Sequence, residues 1–579
     1  MLSYLVSFFF LTLPSFVNLV NTQTTSLHCP ILGPDFPAPQ NLSASVIISN
    51  AEASHMKLLS DYASTLGNDT FFSISLFSVD EDELLFQYHH SPAVLSGHSI
   101  GVHTVDSDSI YRIGSCSKVF SVWTFLIEAG DSYFNDPITR YVPELVAAVA
   151  QSSNNTVEFD EVDNVRWDDV TLGDLASQMG GIARDVTLED LSTDVGITEL
   201  GFPVLSKSEI PDCGAVVGQS PCDREAFFKH LLLHHPNFHA SATPAYSNIA
   251  FQLLAYALEK ITNKTFPDMV SNDIFKPLNM THSSYSQPAD ITFGVIPFNE
   301  TASYWSFPMG DEAPSGAFYS STNDLARAGR SILTNSLLSP AQTRRWLKPV
   351  THTSNPYASV GAPWEIIRVQ DPNNRITDLY TKGGDIGMYH ANLILSPDHN
   401  IGLTVLVAGD PSSTTNSGVR TTLENSLIDT FLPAVEAEAR QQASTHFAGT
   451  YTAASNASNS SFTITTDDSP GLGLFNITTL NGTPLQTIAD SLGLGSANQT
   501  LSVRLYPTGL KTATRMSFRA TLEALPQVMN RGWCQTWVEL DGELYGGVGV
   551  DEFVFGFEEG GEVMWVEWSA LRERLVRIG

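Results

Sequence analysis

The stretch from Leu379 to Asp410, "LYTKGGDIGMYHANLILSPDHNIGLTVLVAGD", most narrows the folds open to this chain. Two long apolar stretches around a Pro-Asp-His-Asn turn read as two strands of a hairpin. A turn this short joins only antiparallel neighbours. A second hairpin is expected far upstream, where "TFFSISLFSV" and "ELLFQYHH" flank an acidic turn at Asp80 to Glu83. Any fold for this chain must therefore hold antiparallel strands.

Between and beyond the hairpins the pattern is helical. Ala53 to Leu66 reads as a helix, and so does the apolar run that follows Ser115. "VTLGDLASQMGGI" is expected to be a short helix ended by Gly180-Gly181, and Gly201 to Asp223 a loop-rich insertion. From Ile249, "IAFQLLAYALEKITN" repeats apolar residues at three and four. "TNDLARAGRSILTN" is a further helix with Thr322 or Asn323 as its expected cap. "ENSLIDTFLPAVEAEARQQA" leads out of this region as another. Near Ser444 the texture becomes short β-like segments: "FTITT", "LSVRLYP", "WCQTWVELDG", "VFGFEE" and "EVMWVEWS". At 579 residues the chain is long enough for two or more domains. The expected division is residues 1–21 as a signal peptide, 45–440 as the main domain and 441–579 as a mostly β domain.

The signal peptide rests on a nearly unbroken apolar run from Tyr4 to Val20. An uncleaved membrane anchor is the alternative. Asn-x-Ser/Thr sequons begin at Asn41, Asn68, Asn154, Asn263, Asn279, Asn299, Asn456, Asn459, Asn476, Asn481 and Asn498. That many, behind such a start, favour a secreted glycoprotein with no stable membrane span once the signal is removed. Cys213 and Cys222 are a possible local disulfide, Cys29 and Cys534 a possible second, and Cys116 reads as a buried free thiol. Acidic residues outnumber basic ones 62 to 30, for a formal charge of -32, which argues against nucleic acid as a partner. Nothing in the Cys and His spacing suggests a metal site.

Three short motifs carry the chemistry. Ser115-Cys-Ser-Lys118 opens an apolar helix, so Ser115 and Lys118 share a face. A dry pocket or a second cation would lower the lysine pKa enough for it to act as a base. A plain helix cap beside a solvated lysine is the competing explanation, and Ser54-His-Met-Lys57 repeats the spacing inside an ordinary amphipathic helix. Tyr246-Ser-Asn248 precedes the Ile249 helix, where a tyrosine can relay a proton, or the Ser or Asn can simply cap. Tyr133-Phe-Asn135 is its decoy. Lys382-Gly383-Gly384 followed by Asp385 begins an apolar strand. Glycines there permit close backbone approach, and a strand N–H could complete an oxyanion hole with that of Ser115. A strand-edge bulge is the alternative.

Taken together, S-x-x-K, Y-x-N and K-x-G in this order resemble the serine β-lactamase and penicillin-binding-protein superfamily. The tyrosine motif is similar to the class C β-lactamase and D,D-peptidase/esterase branch, in its fungal-type secreted form. "VTLGDLASQMGGI" looks like that family's T-x-x-x-L-L-x-H-x-S-G segment, and "PSGAFYSSTNDLARAGRSIL" like its A-G-G-L-x-S-T-x-x-D-L-A-R segment. The resemblance covers about residues 45 to 440. It implies an α/β (α+β) β-lactamase/transpeptidase-like fold: an antiparallel sheet flanked by helices, with a helical lobe and a small mostly-β C-terminal domain. It also implies roles. Ser115 would be acylated and Lys118 would take its proton. Tyr246 would protonate the leaving group, and Asn248 would bind substrate or hold Lys118. Lys382 would tune Tyr246 or meet a substrate carboxylate. The Ser115 and Asp385 amides would hold the oxyanion, with Gly383 and Gly384 keeping that backbone open. No cofactor is implied.

The chain departs from the pattern at Gly383, where a Thr or Ser is usual, and "ASQMGGI" lacks the usual His and Ser. The missing hydroxyl disfavours antibiotic hydrolysis and favours other esters, amides or lactones. The expectation is a secreted serine hydrolase acting through an acyl-enzyme on a small-molecule or peptide substrate. The alternatives are an acyltransferase or esterase tailoring a secondary metabolite, and a non-catalytic binding glycoprotein.

Overall fold

The structure is a computed structural model. It describes residues 28–578 except 68, 93–99, 154–158, 195, 215, 217, 372–374, 410–415, 455–457, 480–481, 493–498, 526–535 and 559–560; for 149–153, 416–417 and 492 it describes the backbone alone. The expected signal peptide, the sequons at Asn68, Asn154, Asn456, Asn481 and Asn498, and Cys534 lie outside the described residues. The chain forms two compact units. One comprises Leu32–Asp371 with Ile376–His446; the other comprises Phe447–Gly579 with Met1–Ile31 and Pro372–Arg375.

The larger unit is built on an antiparallel sheet. Its strands in chain order are β1 (Phe71–Ser78) and β2 (Phe86–His90), and, after the separate two-residue pair β3 (Tyr111–Arg112) and β4 (Tyr319–Ser320), β5 (Thr351–His352), β6 (Ala358–Val360), β7 (Glu365–Gln370), β8 (Ile376–Ile386), β9 (Tyr389–Ser396) and β10 (Ile401–Ala408). They lie in the order β2-β1-β10-β9-β8-β7-β6-β5. β1 is buried along its whole length. Phe72, Ile74 and Leu76 face Ile48 and Leu59 of the Val46–Ala63 helix and Leu427 and Phe431 of the Asn416–Phe447 helix. Phe71 and Phe77 belong to the opposite core, with Phe120, Trp123 and Phe251. Each such side chain contributes about 1.5–3 kcal/mol on burial, and a one-residue slip would exchange the two faces, so the register is strongly specified.

Several expected boundaries move. Leu379–Asp410 holds three strands rather than two, because Gly387, at φ +54, and Met388 turn the chain tightly between Ile386 and Tyr389. A glycine with positive φ opening a two-residue loop matches the twist of a hairpin. The first helix starts at Val46, not Ala53, where Ser45 accepts a hydrogen bond from the amide of Ile48. The Leu172–Ala176 helix stops before Gly180, because the backbone leaves helical angles at Ser177 and Gln178 takes φ +64. Ser321, rather than Thr322 or Asn323, caps Thr322–Thr334 through the amide of Asp324.

The smaller unit contains a closed eight-stranded barrel running from Gly449–Ala453 to Glu573–Ile578, whose first and last strands pair. Closure removes open sheet edges. Rings fill the interior: Phe447 meets Phe518 at 5.4 Å and Phe555 at 5.0 Å between centroids. Within "WCQTWVELDG", Thr536–Glu539 is helical rather than β. Cys29 is disulfide-bonded, and Cys213–Cys222 closes the local bridge in the larger unit.

Candidate active site

Ser115 sits in a 3-10 turn, Gly114–Cys116, that runs into the Ser117–Glu128 helix. Gly114 takes φ +47. The helix is buried from Ser117 to Leu126, so Lys118 has no route to solvent. Its ammonium nitrogen reaches three oxygens: Ser115 Oγ at 2.8 Å, Asn248 Oδ1 at 2.6 Å and the carbonyl of Ser315 at 2.7 Å. Two hydroxyls of the same helix hold the Ser315 segment in place. Ser121 donates to the carbonyl of Pro314, and Ser117 accepts from the amide of Phe318. The plain-cap reading of Ser115 therefore does not describe the structure, since the helix has no side-chain cap.

The Tyr246 loop is tied down by Gln178, which stands where the family segment has its histidine. The carbonyl of Gln178 accepts from the amide of Ala245, and its side-chain oxygen accepts from the amide of Ser247. Ser247 caps the Ile249–Thr262 helix through the amide of Ala250, which leaves the Asn248 side chain free to meet Lys118. The Tyr246 ring is surrounded by cations. Lys118 lies 5.0 Å, Arg184 5.0 Å and Lys382 5.2 Å from its centroid.

Lys382 is buried and donates to Glu365 Oε1 at 2.6 Å and to the carbonyl of Gly383 at 2.7 Å. The two glycines beside it serve different neighbours. A Cβ on Gly384 would lie 2.0 Å from the carbonyl oxygen of Ile113 and 2.7 Å from the amide nitrogen of Ser115. Only glycine lets β8 come this close to the serine turn, and the amide nitrogen of Asp385 would sit 2.6 Å from a Cβ on Gly114. The two expected oxyanion donors are thus brought together. A Cβ on Gly383 would instead meet Nη1 of Arg420 at 2.6 Å, so a guanidinium occupies the space beside the missing hydroxyl.

Burial and charge tune the group. Burial lowers the Lys118 pKa below the usual lysine value, and the nearby Lys382 lowers it further, while Tyr246 and Asp185 pull the other way. Burial pushes the Tyr246 phenol up, but Lys118 and Lys382, helped by a hydrogen bond from Ser115, bring it below its ordinary value. Burial opposes the charge on Lys382, and Glu365 and Tyr246 outweigh it, so Lys382 is held well above its ordinary range. Cys116, pushed up by burial to about 12, is an inert thiol that donates to the carbonyl of Lys382.

Ser115 opens into a cleft of about 690 Å³. Leu188, Leu191, Val216, Phe307, Met309 and Ile386 supply apolar walls, and Glu189, Asp190, Asp194 and Asp385 are the charged residues among those lining it. Buried Arg112 shapes one wall by donating to the carbonyls of Tyr304 and Phe307 at 2.5 and 3.0 Å. A half-buried serine in contact with a buried lysine, a tyrosine under positive potential and two converging amides form an arrangement suited to acyl transfer.

A family model described as Beta-lactamase matches residues 79–424, which include every one of these groups. The chain belongs to the beta-lactamase family. A second family model, described as a Beta-lactamase-like-like C-terminal domain, matches residues 439–579. The chain is 29% identical to a "Beta-lactamase-like protein" of Arthroderma benhamiae over 99% of each sequence. It is 23% identical to a "Probable hydrolase M10" of a Phoma species over 89% of this chain and 82% of that one. Among solved structures, a class C beta-lactamase covers 66% of this chain and 98% of its own, at 15% identity and a TM-score of 0.46. The family is a hydrolase family.

Asp185, Glu365, Gln178, Arg420 and the carbonyl of Ser315 were not visible as parts of this beta-lactamase-family site in the sequence. Gln178 and Ser315 lie in the two family-like segments but carried no role there, while Asp185, Glu365 and Arg420 sit in none of the quoted motifs, and each arrives on a separate part of the chain. The decoys stay apart from the site. Ser54 donates to the carbonyl of Asn50 on an exposed helical face, and Tyr133-Phe-Asn135 lies in its own 3-10 turn.

Proposed function

We propose that this protein is a serine hydrolase that works through an acyl-enzyme on Ser115. The contact of fully buried Lys118 Nζ with Ser115 Oγ, on the lining of the cleft, is the observation that carries this reading. Neutral Lys118 accepts the hydroxyl proton as Ser115 Oγ bonds to the carbonyl carbon of an ester, amide or lactam. The resulting oxyanion lies between the amides of Ser115 and Asp385, each worth about 3 kcal/mol of transition-state stabilisation. The bond to the leaving group then breaks, with the proton passed to it through Tyr246. Water, deprotonated by the same relay, releases the acyl group and restores Ser115.

The cleft walls support substrates with an apolar or cationic body over anionic ones. The charged residues that line it are all carboxylates, Lys382 is committed to Glu365, and residue 383 offers no hydroxyl to a substrate carboxylate. Secretion and glycosylation belong to the same reading. The described sequon asparagines, Asn41, Asn263, Asn279, Asn299, Asn459 and Asn476, are all exposed, which supports it. The test is intact mass of the deglycosylated protein after treatment with 4-nitrophenyl acetate and, separately, a penicillin, beside Ser115→Ala. A wild-type adduct absent from the variant is expected with the ester. Neither an adduct nor turnover in folded protein would overturn the reading.

A further inference from the structure

We propose that Asp185 is a positioning residue that sets the orientation of the Asn248 amide and so aims the lone pair of Lys118 at Ser115; this rests on the acyl-enzyme reading above. Asp185 Oδ1 accepts from Asn248 Nδ2 at 2.5 Å, and its Oδ2 lies 3.2 Å from Nε of Arg184, the residue whose guanidinium covers the Tyr246 ring. The backbone supports the same alignment, because the carbonyl of Arg184 accepts from the amide of Asn248 at 2.7 Å.

The argument is one of hydrogen-bond capacity. An ionised carboxylate only accepts, so it draws the NH2 end of Asn248 and turns the carbonyl end toward Lys118. A neutral lysine amine has two N–H bonds and one lone pair. Asn248 Oδ1 and the carbonyl of Ser315 take the two N–H bonds. The lone pair is then left to the side of the amine that faces the hydroxyls of Ser115 and Tyr246, with Ser115 Oγ at 2.8 Å, which is where a general base needs it. If Asn248 flipped, its NH2 would face the amine, and the lone pair would turn to Asn248 instead of Ser115. Asp185 acts through Asn248, which lines the cleft, and is not itself among the lining residues.

The charge on Asp185 gives a readout that a purely structural role would not move. Lys118 is faced by Asp185, Tyr246 and Lys382, with buried Glu312 also within electrostatic reach. Of these, Tyr246 and Asp185 favour the ammonium form, so removing Asp185 lets Lys118 lose its proton at lower pH.

The experiment compares wild type, Asp185→Ala and the near-isosteric Asp185→Asn in full-length protein. The rate of Ser115 acylation by 4-nitrophenyl acetate is followed across pH, and folding is checked by thermal melting. Asp185→Ala is expected to acylate about 10- to 100-fold more slowly, since small misplacements of a base cost that much. Asp185→Asn, which can still accept from Asn248, retains more of the rate. In both variants the acid limb of the profile moves to lower pH. Folded variants with the wild-type rate and an unmoved acid limb would overturn the inference while leaving the acyl-enzyme reading intact. Equal rate losses with an unmoved limb would also overturn it, by reducing Asp185 to a space-filling part. A wild type that Ser115→Ala matches in labelling would sink both.

Discussion

Ser54-His-Met-Lys57 and Ser115-Cys-Ser-Lys118 have the same spacing and both lie at or in helices, yet they are chemically unlike. In the first, Ser54 and Lys57 are exposed, and the serine hydroxyl bonds back to its own helix. In the second, the lysine is fully buried, and every direction its nitrogen can use ends on an oxygen from a different part of the chain. The difference lies in the surroundings. Water around Lys57 solvates an ammonium ion, whereas the dry site of Lys118 favours the neutral amine. A third lysine shows the limit of that rule. Lys382 is as buried as Lys118, but the carboxylate of Glu365 keeps it charged.

The comparison breaks first at the serines. Ser115→Ala should abolish ester-derived adduct and turnover, a loss of at least about 10³-fold for a nucleophile. Ser54→Ala should leave both unchanged, and equal effects in a paired mass and rate assay would erase the distinction. Next come the lysines. Lys118→Met should slow acylation by about 10²- to 10⁴-fold, the usual range for a lost general base. Lys57→Met should not. The pH profile sharpens the same contrast. Because the Lys118 pKa is lowered, its neutral form appears at lower pH than in a free lysine, so acylation should rise with pH and reach its plateau below 10.5.

The strand that the Ser54 stretch lacks supplies a further test. Gly384→Ala places a methyl against the carbonyl of Ile113, which is backbone and cannot move aside, and should cost about 10²-fold in acylation by separating β8 from the serine turn. Gly383→Ala meets only the end of the Arg420 side chain, and should cost less than tenfold in the same assay.

The smallest effect is on stability. Glu312 is buried beside Asp185, and burial raises its pKa to about 8. The folded state therefore holds its proton more tightly than the unfolded chain, with its ordinary value of 4.5. The resulting stability is fully present below pH 4.5 and is lost as pH rises through about 8. Glu312→Gln should flatten the decline in melting temperature between pH 6 and 9 by the equivalent of on the order of 1 kcal/mol. An unchanged slope would mean that Glu312 is not the group responsible.

Hydrophobic patterning, the three motifs and their order were legible before any coordinates, because strand and helix periodicity and the i, i+3 geometry of Ser115 and Lys118 are local properties. The hairpin at Phe71–His90 and the Ile249 helix follow from the same local signals. The turn at Gly387-Met388 was missed because it interrupts an apolar run without a polar break. Ser321 was missed as a cap because Ser321, Thr322 and Asn323 are chemically interchangeable in that role until the backbone angles are known.

Residue order alone was enough for an antiparallel sheet, a buried helix led by a serine and a lysine, and glycines where a strand must pass close to a neighbour. Which of two identical spacings is chemically active depended on burial and on acceptors brought in by Asn248 and Ser315, each more than a hundred residues from Lys118. The same holds for Asp185 behind Asn248 and Arg420 beside Gly383. Desolvation and hydrogen-bond direction are properties of what surrounds a group in space, and only the folded chain brings those surroundings together.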